Sequence, residues 1–315
     1  MLIVLADTIF PDCDIERDLL AEAGHELVVA DSPDHAVELF PKADGVLTCF
    51  LDLSAARIKS MTQAKIIARY GIGVDNVDLA AACDQGIVVT NVPDYCVEEV
   101  ATHTVAMLLS MLRKLPEADR HVRSGGWGVD GVRPLRRLSE LTIGLIGFGR
   151  IGQLVAETLA PLGPKLLASD PYAQSMPDQV KLVPQAELLE ASDAVLLHAP
   201  LTAATAGLIN ADTLKLMRPG ALLVNASRGG LVDLAAVTSA LHEGRLGGAA
   251  LDVFPTEPVD PAAVADVPNL HLSSHIAYYS EEALQESQRK AATQIVRVLA
   301  GLSPEYPVNL PDRSK

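Results

Sequence analysis

Short apolar runs rich in Val, Ile and Leu alternate along this chain with stretches whose apolar residues recur every three or four positions. From Leu2 to Val92 the order is LIVLAD, IERDLLAEAG, HELVVAD, HAVELF, GVLTCF, AARIKSM, KIIARY, LAAACDQG and IVVTNV. Continuous apolar runs of this length are the pattern of buried strands, and the three-to-four spacing is that of amphipathic helices. Their alternation predicts a parallel sheet wound with helices. A longer helical pattern runs from about Val97 to Leu115, and the loop RHVRSGGWGVDGVRPLRRLSE then breaks the rhythm.

A second series follows: TIGLIGFG, a helix from Gly149 or Arg150, KLLASD, a helix around Ala186 to Glu190, DAVLLHAP, a helix around Ala211 to Met217, ALLVNAS, a helix from Leu234 to Glu243, GAALDVF and NLHLSSH. It makes a complete doubly wound unit. One more helix, roughly Glu281 to Leu299, is left with no sheet of its own, so it is expected to return to the first sheet. The expected architecture is α/β, with two doubly wound parallel-sheet domains. Residues 97–285 form one, inserted in the other, which is built from residues 1–96 and 286–315.

Composition narrows the partners. The 315 residues are 49% apolar and 21% charged, enough for two packed cores, and the 4% aromatic share points to cores of Ala, Val, Leu and Ile. A net charge of -15 and a pI near 4.9 set the surface against polyanions, so neither nucleic acid nor an anionic membrane is an expected partner. Cys13, Cys49, Cys83 and Cys96 are scattered, without disulfide or zinc spacing, and no metal is expected. MLIVLAD has no basic lead-in, and Asp7 stops its apolar run far short of a membrane span. A cytoplasmic protein acting on a small molecule is the expectation.

The chemistry begins at GLIGFGRIG. A strand runs into Gly147, Gly149 and Gly152, which gives a tight turn, close backbone approach to a pyrophosphate, and a helix N-terminus starting at Arg150 and Ile151. The next strand ends in LLASD and places Asp170 18 residues beyond Gly152, where an acid grips the adenosine ribose diol. A carboxylate there would repel a 2′-phosphate, and DPYAQ supplies no Arg to offset it, so NAD is favoured over NADP. Three further strands end at Arg228, at Asp252 with Glu257, and at His275. Hydride transfer to a carbonyl needs a proton donor, a group that keeps the donor protonated, and a cation for the oxyanion or a carboxylate. His275, Glu257 and Arg228 match those needs in type. A structural histidine at a strand end is the plainer reading of the same residues.

RYGIGVDNVDL, NVPDYCVEEVA, GLIGFGRIG, HAPLTAAT, NASRGGLVD, GAALDVFPTEP and SSHIAYYS occur in this order, and through them the chain resembles the D-2-hydroxy-acid dehydrogenase family over nearly its whole length. The resemblance implies a nucleotide domain inserted in a flavodoxin-like substrate domain, with the active site in the cleft between them. It implies that His275 is the acid/base, Glu257 its partner and Arg228 the cation that holds the 2-oxo acid. The backbone N–H groups of Ile72 and Gly73 would take the substrate carboxylate. Asp252 would meet the nicotinamide carboxamide, and Pro200 to Thr205 with Ala226 would line the cofactor. The substrate side chain would meet Thr48, Cys49, Phe50, Leu51 and Tyr278. SSHIAYYSEEA and NVPDYCVEEVA resemble most the C-terminal-binding-protein branch, which includes dinucleotide-binding corepressors and usually carries Trp at the place of Tyr278. Ending at Lys315, the chain is expected to stop short of the C-terminal regulatory domain of many phosphoglycerate dehydrogenases.

These features lead to an NAD-dependent oxidoreductase for D-2-hydroxy acids, with an NAD(H)-sensing binding protein as the alternative. Arg120, Arg123, Arg133, Arg136 and Arg137 surround Trp127 in an otherwise acidic chain. Family members dimerise through this region, so a homodimer is expected, with a solvated basic loop as the plainer reading.

Overall fold

A computed structural model describes residues 1–173, 176–309 and 311, which form two compact units. The first comprises Met1–Tyr95 and Tyr279–Lys315, the second Cys96–Tyr278.

The first unit begins β1 (Leu2–Leu5), α1 (Asp14–Glu22), β2 (Glu26–Val29), α2 (Pro33–Leu39), β3 (Gly45–Thr48), α3 (Ala55–Ser60), β4 (Ile66–Arg69), α4 (Leu79–Asp84) and β5 (Val88–Thr90). All five strands are parallel, in the order β2-β1-β3-β4-β5, the flavodoxin-like order. Burial follows from that order. The inner strands β3 and β4 are buried at every residue, whereas edge strand β2 has no fully buried residue.

The second unit runs α5 (Val97–Arg113), α6 (Leu115–Arg123), β6 (Thr142–Ile146), α7 (Arg150–Leu159), β7 (Lys165–Ser169), β8 (Val180–Leu182), α8 (Gln185–Ala191), β9 (Ala194–Leu197), α9 (Ala211–Leu216), β10 (Ala221–Asn225), α10 (Leu234–His242), β11 (Leu246–Leu251) and β12 (Leu270–Leu272). Its seven parallel strands are ordered β12-β11-β10-β9-β6-β7-β8. One apolar core packs α5 and α7 against the sheet, and a second gathers Leu188, Leu214, Val237 and Leu241 of α8, α9 and α10. In α7 the buried residues Gly152, Val155, Ala156 and Leu159 follow the i, i+3, i+4, i+7 spacing that made the helix legible.

The chain then returns to the first unit as α11 (Glu281–Leu299), capped by the Ser280 side chain, which accepts the Ala283 N–H. Ile295 of this helix reaches Gly45 and the β3–β4 face. The expected crossing at residue 286 lies inside α11; the unit boundary falls at Tyr279, one residue before the cap, because the whole helix packs on one sheet.

Two elements escape the apolar pattern. α6 occupies ground that reads as helix end and loop: Lys114 takes a left-handed conformation (φ 50) that ends α5, and Pro116 lies at the start of a new nine-residue helix with no buried residue. β8 is a three-residue edge strand, too short for a periodic signal.

Candidate active site

In the second unit every candidate side chain follows the C-terminal end of a parallel strand. The glycine turn follows β6, Asp170 follows β7, His198 to Thr205 follow β9, Ala226 and Arg228 follow β10, Asp252 and Glu257 follow β11, and His275 follows β12. From β6 the sheet grows both ways, to β7 on one side and β9 on the other, and ligands of open α/β sheets bind at such a reversal.

The glycine turn is built for close approach. Gly147 has φ 94, and a Cβ there would lie 2.5 Å from the backbone carbon of His198. Gly152 is buried against the Gly147 carbonyl, while beside Gly149, which precedes the ten-residue α7, there is open space. Arg150 is exposed and Ile151 half-buried at the helix start. Asp170 accepts the Phe148 N–H through Oδ2 at 2.7 Å and the Tyr172 N–H through Oδ1 at 2.8 Å, so its carboxylate is oriented by the turn. Gln174, the last residue of DPYAQ, lies outside the described residues. Across the turn, both ring nitrogens of His198 are buried with no hydrogen-bond partner among the described residues, and burial pushes its imidazole down to about 4, leaving it neutral. Thr205 donates to the Pro200 carbonyl at 2.6 Å and accepts the Thr202 N–H at 2.8 Å, which folds the loop after β9, and Ala226 is buried after β10. A helix N-terminus open at a glycine, an oriented carboxylate and an unsatisfied buried imidazole together fit a dinucleotide.

The proton-transfer candidates meet. His275 Nδ1 lies 2.7 Å from Glu257 Oε2, and Glu257 Oε1 accepts the Phe254 N–H at 2.8 Å. Burial pushes the Glu257 carboxyl up, but the His275 and Phe254 hydrogen bonds and the charges of His275 and Arg228 outweigh it and hold it below the ordinary carboxylate range. An ionised Glu257 fixes hydrogen on Nδ1 and directs proton exchange to Nε2. Arg228 donates to the Ser227 carbonyl at 2.8 Å, and its own carbonyl accepts from Asn225 Nδ2 at 2.9 Å. The next residue must be glycine, since any Cβ on Gly229 would overlap the Phe254 backbone, and that contact sets Arg228 beside the Glu257 turn. The Tyr278 ring stands edge-on to His275, with centroids 6.0 Å apart and planes at 81°.

His275 itself has φ 56, a left-handed conformation that costs a non-glycine residue about 1–3 kcal/mol. Asp252 holds it there. Its carbonyl accepts the His275 N–H at 2.7 Å, Oδ1 accepts the Ile276 N–H and Oδ2 the Ala277 N–H, each at 3.0 Å. The Ser273 hydroxyl also donates to Oδ1, at 2.5 Å. The Asp252 carboxylate is fully buried, and these contacts are to the protein's own chain. The cofactor contact implied for it by resemblance is therefore joined by a positioning role.

In the first unit Ile72 and Gly73 follow β4. The Ile72 carbonyl accepts from Asn91 at 2.7 Å, while among the described residues neither backbone N–H has an acceptor, as an anion-binding turn requires. Two side chains here were missed in the sequence. Asp7 accepts the Thr48 hydroxyl at 2.7 Å and the N–H groups of Cys49, Phe50 and Leu51, at 2.8, 2.5 and 3.0 Å, and so shapes the loop expected to meet the substrate. Its position at the end of β1, on the ligand edge, was the available signal. Arg69, nearly buried, donates to the Cys49 carbonyl at 3.2 Å and lies 5.8 Å from the Phe50 ring centre. A charge closing the apolar run IIAR was its signal.

A sequence model of the D-isomer specific 2-hydroxyacid dehydrogenase family, NAD binding domain, matches residues 105–277. The chain belongs to this family. It is 37% identical over 282 residues to D-3-phosphoglycerate dehydrogenase of Synechocystis sp., covering 87% of this chain and 50% of that protein. The chain thus spans about half the length of the curated relatives it matches. Among solved structures, D-lactate dehydrogenase from Aquifex aeolicus, complexed with NAD and lactic acid, superposes with a TM-score of 0.86 at 26% identity, over 96% of both chains. An NADPH-dependent glyoxylate/hydroxypyruvate reductase from Sinorhizobium meliloti, in complex with NADP and malonate, does so with a TM-score of 0.86 at 32% identity, over 98% of this chain and 96% of that one. No helix among the described residues is long and apolar enough to cross a membrane.

Proposed function

We propose that the protein is an NAD-dependent oxidoreductase that interconverts D-2-hydroxy acids and their 2-oxo forms. The observation that carries this reading is the 2.7 Å pair of His275 and Glu257 at the ligand edge of a dinucleotide-type sheet. Bound NADH supplies the hydride. His275 gives its Nε2 proton to the carbonyl oxygen as C2 is reduced, and in the reverse direction takes the hydroxyl proton. Glu257 keeps the imidazolium favourable, and Arg228 holds and polarises the 2-oxo acid. The N–H groups of Ile72 and Gly73 bind the substrate carboxylate, and Tyr278 packs on its side chain. Gly147, Gly149, Arg150, Ile151 and Gly152 hold the pyrophosphate; Asp170 takes the ribose hydroxyls; Pro200, Thr205, Ala226 and Asp252 line the remainder. The unit ending at Tyr95 and resuming at Tyr279 is the substrate domain.

The protein works as a homodimer in the cytoplasm. Leu115, Val122, Trp127 and Val129 are more than half exposed, Trp127 at 85%, among the arginines of one segment of the second unit, and a second copy would cover them. The four cysteines are free, which suits a reducing compartment.

A panel of 2-oxo acids including pyruvate, glyoxylate, hydroxypyruvate and its 3-phosphate, assayed with NADH and NADPH in parallel, tests the reading. At least one acid should turn over at about 1 per second or faster, with NADH the better cofactor. Slow turnover of every acid, together with NADH-dependent capture of a peptide partner, would favour the sensor. Light scattering should give twice the chain mass.

A further inference from the structure

We propose that His103 is a positioning residue for this reaction, fixing the backbone of His275 through Ser273 and Asp252. The inference rests on the oxidoreductase reading and concerns a residue of α5 that lies beyond the motif ending at Ala101. His103 lies in α5, with Nε2 3.0 Å from Ser273 Oγ and 3.7 Å from Asp252 Oδ1.

The direction of the hydrogen bonds follows from counting protons. A serine hydroxyl has one, and 2.5 Å from a fully buried carboxylate oxygen it is donated to that oxygen. Ser273 Oγ must then accept from His103, so Nε2 carries a hydrogen. The chain of donors runs from His103 to Ser273 to Asp252. It ends at the carboxylate that receives the N–H groups of Ile276 and Ala277, the two residues after His275.

The anchor is rigid. Val100, Ala101, Thr104 and Val105, on both sides of His103, are buried, so the helix cannot roll without disturbing the core. The segment it steadies needs support, because His275 is held at φ 56 while its ring keeps the bond to Glu257. Without His103, Ser273 loses its donor, Asp252 gains freedom, and the imidazole drifts from the geometry that proton transfer requires.

The experiment compares His103→Leu, His103→Gln, Ser273→Ala and the double variant His103→Leu/Ser273→Ala. It reads kcat, KM for NADH, thermal unfolding, and amide hydrogen exchange at Ile276 and Ala277. The leucine variant should lose about tenfold in kcat with KM for NADH within about twofold. Glutamine, whose amide donates from a similar reach, should recover most of that loss. The double variant should be no slower than Ser273→Ala alone, since both remove one chain of bonds. Exchange at the two amides should rise about tenfold in the leucine and alanine variants. The proposal is overturned by independent, multiplying losses in the double variant, by a loss that falls on KM for NADH, or by a glutamine as damaging as leucine. If the unsubstituted protein reduces no acid, the oxidoreductase reading fails, and the exchange data still decide: unchanged protection at Ile276 and Ala277 in His103→Leu would refute the network. Should the leucine variant not fold, the glutamine and Ser273→Ala variants carry the test.

Discussion

Two turns of the second unit solve one steric problem in opposite ways. After β6 the chain enters the left-handed region at Gly147 (φ 94), where the absence of a side chain removes the strain. After β12 it does so at His275 (φ 56), where the proposed reaction needs an imidazole and glycine would not serve. There the strain is held by three consecutive N–H groups ending on Asp252. A turn proposed to bind through its backbone is thus stabilised locally, and a turn proposed to carry the acid/base is stabilised from another strand.

The largest effect that breaks this comparison comes from His275→Gly. It should lower kcat by about 10²- to 10⁴-fold, the usual contribution of a general acid/base. It should also leave thermal stability equal or higher, because glycine relieves the left-handed strain. A marked fall in Tm would mean that the turn is not strained. Next is Gly147→Ala, which combines positive φ with a backbone clash against His198. Denaturant unfolding should show a loss of about 1–3 kcal/mol or more, so that adding a side chain at one turn and removing one at the other move stability in opposite directions. The smallest concerns Glu257, which holds the histidine turn from its side-chain end. Glu257→Gln should move the alkaline fall of 2-oxo acid reduction to lower pH. Because the folded protein holds this carboxyl below its ordinary range, its contribution to stability is present above that range and is lost as pH falls through the folded value. The Tm difference between the two proteins should therefore shrink on acidification.

The same contrast decides what was legible in the sequence. GLIGFGRIG declares itself because its physics lies in one continuous stretch from Thr142 to Leu159: a buried strand, glycines at the turn, and a helix with an i, i+3, i+4, i+7 buried face. His275, Glu257 and Arg228 were readable as types at strand ends, but nothing in their spacing states that Glu257 faces Nδ1 or that Gly229 must press on Phe254. The bonds of Asp252 to residues 273–277, of Asp7 to residues 48–51, and of His103 to Ser273 join distant stretches, and only the folded chain brings them together. α6 was hidden for another reason: its apolar positions, Leu115, Ala118 and Val122, are only three and follow the break at Lys114 and Pro116, so they read as the end of α5 and the start of a loop.

The insertion of one unit in the other has a consequence for synthesis. Met1–Tyr95 supplies all five strands of the first sheet, but the helix that lies on β3 and β4 is α11, made only after the whole of Cys96–Tyr278. At ribosomal rates that interval is roughly ten seconds or more. The central unit is continuous and free to complete its cores as it emerges. The N-terminal half-domain must wait, with only α1 on that face of its sheet and β3 and β4 uncovered there until Ala291, Ala292 and Ile295 arrive, and transiently exposed apolar surface of this kind favours aggregation.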